Sequence, residues 1–285
     1  MAKSRSDSPV NFLHSGLPLA RGKPLIMGVL NITPDSFSDG GLFAEAEKAV
    51  EHALFMAANG AHIIDIGGES TRPGAKSLSP DEESDRVLPV IEALRKISDV
   101  FISVDTSTAQ VMKEARSAGA NMINDIRALK REGALEAAAE LDVPVCLMHM
   151  KGEPENMQNN PVYRDLLSEI SMFFEERIAA CIKAGIRRNQ LVLDPGFGFG
   201  KTAGHNFSIL KHLDHFRSFG LPLLAGLSRK SSIGWVTGRE TSERLAGSLA
   251  GAVMAVINGA DIIRVHDVRE TVDAMKVVEA VLSAE

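Results

Sequence analysis

The chain has 285 residues, 45% hydrophobic and 24% charged, the profile of a globular protein with enough core for one large domain or two small ones. With 31 Lys and Arg against 37 Asp and Glu, its formal net charge is −6, which argues against a general binder of nucleic acid or anionic membranes, since either needs a basic surface. Aromatic content of 5%, with one Trp (Trp235) and one Tyr (Tyr163), argues against a base-stacking platform, and two cysteines, Cys146 and Cys181, rule out a disulfide framework and fit a reducing cytosol.

Residues 1–23 begin with the polar stretch MAKSRSDSPVNF, which lacks the apolar segment of a secretory signal. They form a lead expected to cap the domain that follows. From residue 24 a repeating unit runs to residue 285. Short runs rich in Val, Ile and Leu occur at 24–30, 62–66, 101–105, 121–125, 143–149, 191–194, 222–226 and 261–265. Each is apolar on both faces, as in strands of a parallel sheet covered by helices. Amphipathic stretches lie between them: 44–59 and 242–258, both ending in Asn-Gly, 108–118 ending before Gly119, 161–184 closed by Gly185, and 270–283. No apolar run reaches the roughly 18 residues needed to span a bilayer. The strand ends recur about every 33 residues, a βα spacing, and eight such units predict a single-domain α/β fold, the (β/α)8 TIM barrel. A doubly wound open sheet is the alternative, because strand order is not encoded in spacing.

In either architecture, chemistry sits beyond the carboxyl ends of the strands. The exits there are Asn31 followed by TPDSFSDGG, Asp65 followed by GGESTRPG, Asp105-Thr106-Ser107, Asn124-Asp125, Met148-His149-Met150, Asp194 followed by PGFGFGKT, Gly226 followed by LSRKS, and Arg264 followed by VHDV. Thr106, Ser107 and Asp125 read as turn or cap residues. Asp105, Asn124 and Asp194 close strand runs and are expected to point into the mouth. Three buried acceptors need donors, and a nitrogen heterocycle would supply them.

A cationic set, Arg72, Lys201, Arg229, Lys230, Arg264 and His266, shares these exits. Lys201 reads as solvated surface charge, whereas Arg72 and Arg264 read as grips for phosphate oxygens. The segment GFGFGKT (196–202) misses both the GxxxxGK[ST] and GxGxxG patterns by one residue, so its glycines are expected to serve close backbone approach to a ligand or a mobile loop. His149 and His266 have no HExxH motif or Cys/His cluster around them, which argues against structural zinc. A diphosphate would bring Mg2+ with it, and Asn31 is either its protein oxygen or a turn residue before Thr33-Pro34.

MGVLNITPDSFSDGG (27–41) and DIGGESTRPGA (65–75) resemble the two signature segments of the bacterial dihydropteroate synthase family. The likeness continues in order through SVDTS (103–107), INDI (123–126), LMHMKG (147–152), LDPGFGFGKT (193–202), GLSRKS (226–231) and IRVHDV (263–268), nearly the whole chain. The resemblance implies a pterin-binding (β/α)8 barrel. Its reaction would condense 6-hydroxymethyl-7,8-dihydropterin diphosphate with 4-aminobenzoate to 7,8-dihydropteroate and diphosphate, in folate biosynthesis. By motif position it assigns the pterin to Asp105, Asn124, Met148, Asp194 and Lys230. The diphosphate falls to Asn31, Thr71, Arg72, Arg264 and His266, with Mg2+ on Asn31. Ser36, Phe37, Arg72, Pro73, Phe199, Ser228 and Lys230 would form the aminobenzoate pocket, where sulfonamides compete in this family. Lys230, Asp105, Arg72, Arg264 and His266 would carry catalysis. Diphosphate would leave first, giving a pterin methylene cation that the amine then attacks, while the two Gly/Pro-bearing loops exclude water. The resemblance also implies a cytoplasmic homodimer whose partners are small molecules, and the Gly/Ala-rich stretch 242–258 suits either a dimer contact or packing within a monomer. Two other classes compete: a methyltetrahydrofolate-type pterin-binding barrel, which would not need the STRPG and SRKS pair, and a non-catalytic pterin-binding protein, which would not need Asn31, Arg72, Lys230, Arg264 and His266.

Overall fold

The computed structural model describes residues 17, 19, 23–32, 41–70, 78–154 and 156–284, with backbone only at 41–45. Eight strands are present: β1 (Leu25–Asn31), β2 (Ile63–Gly67), β3 (Phe101–Asp105), β4 (Met122–Asp125), β5 (Val145–Met148), β6 (Leu191–Asp194), β7 (Leu224–Ala225) and β8 (Ile262–Val265). All pair in parallel in the order β6-β5-β4-β3-β2-β1-β8-β7. A parallel bridge between Leu193 and Leu223, with the Leu193 N–H donating to Pro222 O at 2.9 Å, joins β6 to β7 and closes the ring. The fold is a (β/α)8 barrel, which removes the open-sheet alternative.

The helices follow the strands: α1 (Gly41–Ala58), α2 (Pro80–Ile97), α3 (Ala109–Ala118), α4 (Ala134–Leu141), α5 (Leu166–Lys183), α6 (Ala203–Lys211), α7 (Ser231–Thr237), α8 (Leu245–Ile257) and α9 (Val268–Ser283). Local chemistry sets several ends. Ser79 and Glu82 form a capping box at the start of α2, and Gly119 ends α3 at φ 116°. The stretch 161–184 becomes helical only at Leu166, because the Asp165 side chain caps the helix by accepting from Ser168 N. Two helices rather than one separate β7 from β8, so nine α-helices lie among the described residues.

Alternation along the strands divides two cores. Ile26, Ile64, Ile102, Ile123, Leu147, Leu193 and Ile263 face the helices. Met27, Ile63, Met122, Cys146, Val192, Leu224 and Ile262 fill the barrel interior. Leu17 and Leu19, from the lead, join this inner cluster; apart from Lys23, the rest of residues 1–23 lies outside the described residues. Two residues further along their strands, the inner positions become polar. Asp65, Asn124, Asp194 and Arg264 share the inward parity of Ile63, Met122, Val192 and Ile262, so one alternation provides both the plug and the site above it.

The glycines after β6 belong to this framework. Gly196 and Gly200 have φ of 72° and 63°, and a Cβ on either would meet His149 O at 1.9 Å or Lys151 O at 2.2 Å. Their close approach is therefore to the backbone of the β5 exit, where the sequence pointed to a ligand or a mobile loop. Gly196→Ala should lose more than about 3 kcal/mol in chemical denaturation, from combined clash and strain. Gly185→Ala, with φ 102° and nothing within 4 Å, should lose only the backbone term of about 1–2 kcal/mol.

Candidate active site

At the mouth, the Asp65 carboxylate is fully buried. Its Oδ2 accepts from Arg264 Nε at 2.6 Å and from Asn124 Nδ2 at 3.0 Å. Arg264 also donates from Nη2 to Asp105 Oδ2 at 2.8 Å, so two carboxylates from neighbouring strands hold one guanidinium. Burial opposes the Arg264 charge, but Asp65 and Asp105 outweigh it and raise its pKa. Burial pushes the Asp105 carboxyl up to about 7, against the pull of Arg264 and with a further push from Asp65.

Across the mouth, Asp194 Oδ1 accepts from Gly196 N at 2.7 Å. Burial raises its pKa while Lys230 opposes the rise. Lys230 enters from the β7 side, donates to Phe197 O and lies 4.6 Å from the centre of the Phe199 ring. Burial pushes this ammonium down to about 8, with Asp194 and Asp105 opposing. His266 N donates to Ser228 Oγ at 3.2 Å, and His266 Nδ1 lies 3.0 Å from the same oxygen. Burial, with Arg264 and Arg229 adding, lowers His266 to about 4, so it is neutral at pH 7 and not the cation its place in the sequence suggested. Met148 closes β5 and lines a cleft of about 460 Å³ with Ile126, Arg127, Lys130 and Phe173. Asn31 stands exposed at the end of β1, opposite Gly67. Ser36, Phe37, Thr71, Arg72 and Pro73 lie outside the described residues.

Asp125 is one residue out of parity and faces the helix layer. Its carboxylate accepts from the Ser107 hydroxyl and from the backbone N–H groups of Arg127 (2.8 Å) and Leu129 (2.7 Å). Thr106 Oγ1 accepts from Thr108 N at 3.1 Å. The turn-and-cap reading of Thr106, Ser107 and Asp125 therefore holds. Arg229 is likewise committed, with Nε at 3.0 Å and Nη2 at 2.5 Å from Asp267.

Lys201 corrects an expectation. It is 3% exposed, not solvated. Its Nζ donates to Gly196 O (2.9 Å), Phe199 O (3.0 Å) and His149 O (3.2 Å), and lies 2.9 Å from His149 Nδ1. The residue staples the glycine loop to the β5 exit, a role no local pattern announces. Burial lowers its pKa well below the usual lysine value and pushes His149 down to about 2, with Lys201 adding.

Comparisons with known proteins decide what this mouth belongs to. Residues 27–266 match the pterin binding enzyme family. The chain is 56% identical to the dihydropteroate synthase of Escherichia coli (strain K12) over 269 residues, 94% of this chain and 95% of that one. The chain belongs to the dihydropteroate synthases. It is a C–N bond-forming transferase of folate biosynthesis. Among solved structures, Yersinia pestis dihydropteroate synthase in a sulfonamide drug complex superposes with a TM-score of 0.90 at 55% identity, covering 94% of this chain and 98% of that one. Xanthomonas albilineans dihydropteroate synthase in complex with 7,8-dihydropteroate gives 0.86 at 46% identity, covering 95% and 98%. No helix among the described residues is long and apolar enough to cross a membrane.

In this dihydropteroate synthase barrel, His149 stays neutral in the fold while a free histidine titrates near 6.5. Its folded pKa is depressed, so the unfolded chain binds the extra proton and stability falls as pH drops below about 6.5 towards 2. His149→Asn, which keeps an acceptor for Lys201, should flatten the acid limb of unfolding free energy against pH by up to about 1.4 kcal/mol per pH unit.

Proposed function

We propose that the inward-facing polar ring performs the condensation of 6-hydroxymethyl-7,8-dihydropterin diphosphate with 4-aminobenzoate. The observation that carries this reading is the convergence of Asp105, Asn124, Asp194, Lys230 and Arg264 on one barrel mouth. Asp105, Asn124 and Asp194 are acceptors for the N–H groups of the pterin, and Lys230 is a donor to its ring acceptors, with Met148 packing against the heterocycle. Arg264 spends Nε and Nη2 on the carboxylates and leaves Nη1 for the diphosphate. In the tautomer in which the Ser228 hydroxyl donates to Nδ1, the His266 proton is on Nε2, where it can serve a phosphate oxygen.

Asn31 offers a single carboxamide oxygen, and among the described residues no group of three or more His, Cys, Asp or Glu is placed for a metal. That donor set fits a Mg2+ carried largely by diphosphate oxygens and water, with Asn31 as its protein ligand. Such an ion supplies stabilisation of charge on the leaving diphosphate. Arg264 and His266 add to it from the protein, and Thr71 and Arg72 do so by the resemblance alone. The carboxylates of Asp105 and Asp194 favour the cationic pterin methylene once diphosphate has left. The amine of 4-aminobenzoate then attacks the methylene carbon as a neutral nucleophile, and the ammonium so formed releases its proton to water or the departed diphosphate, so no strong base is required. Phe199, Lys230 and Ser228 form the described part of the aminobenzoate pocket; Ser36, Phe37, Arg72 and Pro73 complete it by resemblance. Sulfonamide competition belongs at this same pocket.

The assay supplies pterin diphosphate, 4-aminobenzoate and Mg2+ and measures dihydropteroate. Lys230→Ala should lower kcat/KM at least about 100-fold with folding intact. Because Lys230 loses its proton near pH 8, kcat/KM should fall on the alkaline side there, and Lys230→Arg should move that limb upward. Full activity in Lys230→Ala would remove the residue from the site. Single-turnover cleavage of pterin diphosphate without aminobenzoate supports departure first, and strict dependence on aminobenzoate rejects it.

We also propose a cytoplasmic homodimer. Trp235 and Val236 on α7, Met254 and Ile257 on α8, and Val277 and Val281 on α9 are exposed on helices next to one another in sequence. Sedimentation should return twice the 30.6 kDa of one chain, and Met254→Glu with Val277→Glu should return that mass alone.

A further inference from the structure

We propose that Asp65 is a positioning residue of the pterin site, orienting the Asn124 carboxamide and the Arg264 guanidinium on either side of it. The inference rests on the proposed pterin reading of this mouth. Asp65 is the third residue of β2, between Val29 of β1 and Ser103 of β3 in register, and it is fully buried. Its Oδ2 accepts from both Asn124 Nδ2 and Arg264 Nε.

An ionised carboxylate can only accept. Asn124 must therefore turn its NH2 group to Asp65, and its carbonyl oxygen is what remains to meet the ligand. Without Asp65 the carboxamide is free to flip, and a pterin N–H would then face an N–H donor. Arg264 is constrained in the same way. Asp65 holds Nε and Asp105 holds Nη2, and two carboxylates on different strands fix the plane of the guanidinium where one would leave it a pivot.

Two features speak against a simple packing role. A buried ion pair is weak support for stability, since an apolar residue of similar volume often serves as well. And among the described residues Asp65 Oδ1, also buried, has no hydrogen-bond partner, an arrangement that folding alone does not reward. Asp65 touches no reacting atom in this reading. It acts through Asn124 and Arg264.

The test uses the full chain and four variants: Asp65→Asn, Asp65→Ala, Asn124→Ala and the Asp65→Ala/Asn124→Ala pair. Asp65→Asn keeps the volume and one acceptor oxygen, so it covers the case in which Asp65→Ala does not fold. Far-UV circular dichroism and melting temperature report the fold, and steady-state kinetics report KM separately for each substrate. Asp65→Ala should raise KM for pterin diphosphate at least about tenfold while KM for 4-aminobenzoate stays within about twofold. Asp65→Asn should fall between Asp65→Ala and the parent. The double variant should lose no more than about twofold beyond Asn124→Ala, because the two residues act as one unit. An unchanged pterin KM in a folded Asp65 variant overturns the proposal, as does an equal rise in both KM values or fully additive losses. An inactive parent, or Asn124→Ala with parental kinetics, would instead remove the pterin reading on which it stands.

Discussion

Three carboxylates, the buried Asp65 and Asp194 and the part-buried Asp105, share one barrel mouth with Arg264 and Lys230, and the site depends on that balance. Burial pushes Asp105 and Asp194 towards protonation and Lys230 towards neutrality. Each is held back by an opposite charge within the same ring. Arg264 is the least expendable member, because it alone bonds two of the carboxylates and keeps its own charge against burial. A ring poised in this way presents acceptors and donors in fixed places before any substrate arrives, which is what electrostatic preorganisation requires.

The ring has to be held in register, and the β6 exit shows how. The loop carrying Phe197 and Phe199 reaches Lys230 from above, through a carbonyl and a ring face. That loop is fastened to the β5 exit by Lys201, whose amine serves three carbonyls and His149. Gly196 and Gly200 let the two backbones meet without a Cβ between them. Charge, backbone conformation and packing thus combine to place a lysine that carries chemistry by means of a lysine that carries none.

Much of the architecture was legible beforehand. Apolar runs at βα spacing gave the eight strands nearly to the residue, since a strand buried on both faces leaves a continuous apolar signature. Asp105, Asn124 and Asp194 stood out as polar residues closing such runs. Asn124 and Asp125, adjacent at one exit, were already read apart, and parity relative to Met122 is what turns the first inward and leaves the second to brace a turn. Other assignments were not legible for physical reasons. Lys201 looked like a surface charge because its partners are backbone carbonyls, which leave no mark on a sequence. His266 looked cationic because its neighbours Arg264 and Arg229, which help keep it neutral, act through space.

The amino-acid order by itself determined the repeating βα unit, the single domain and the family, because hydrophobic period and long contiguous motifs are local properties of the chain. Tertiary structure decided which polar residues meet. Ring closure between β6 and β7 brings Asp194 round to Arg264, and the inward turn of alternate residues gathers Asp65, Asp105 and Asn124 into the same mouth. The place of Asp65 between Asn124 and Arg264 belongs to that second group: a carboxylate 59 residues from one partner and 199 from the other acquires its role only when the barrel closes.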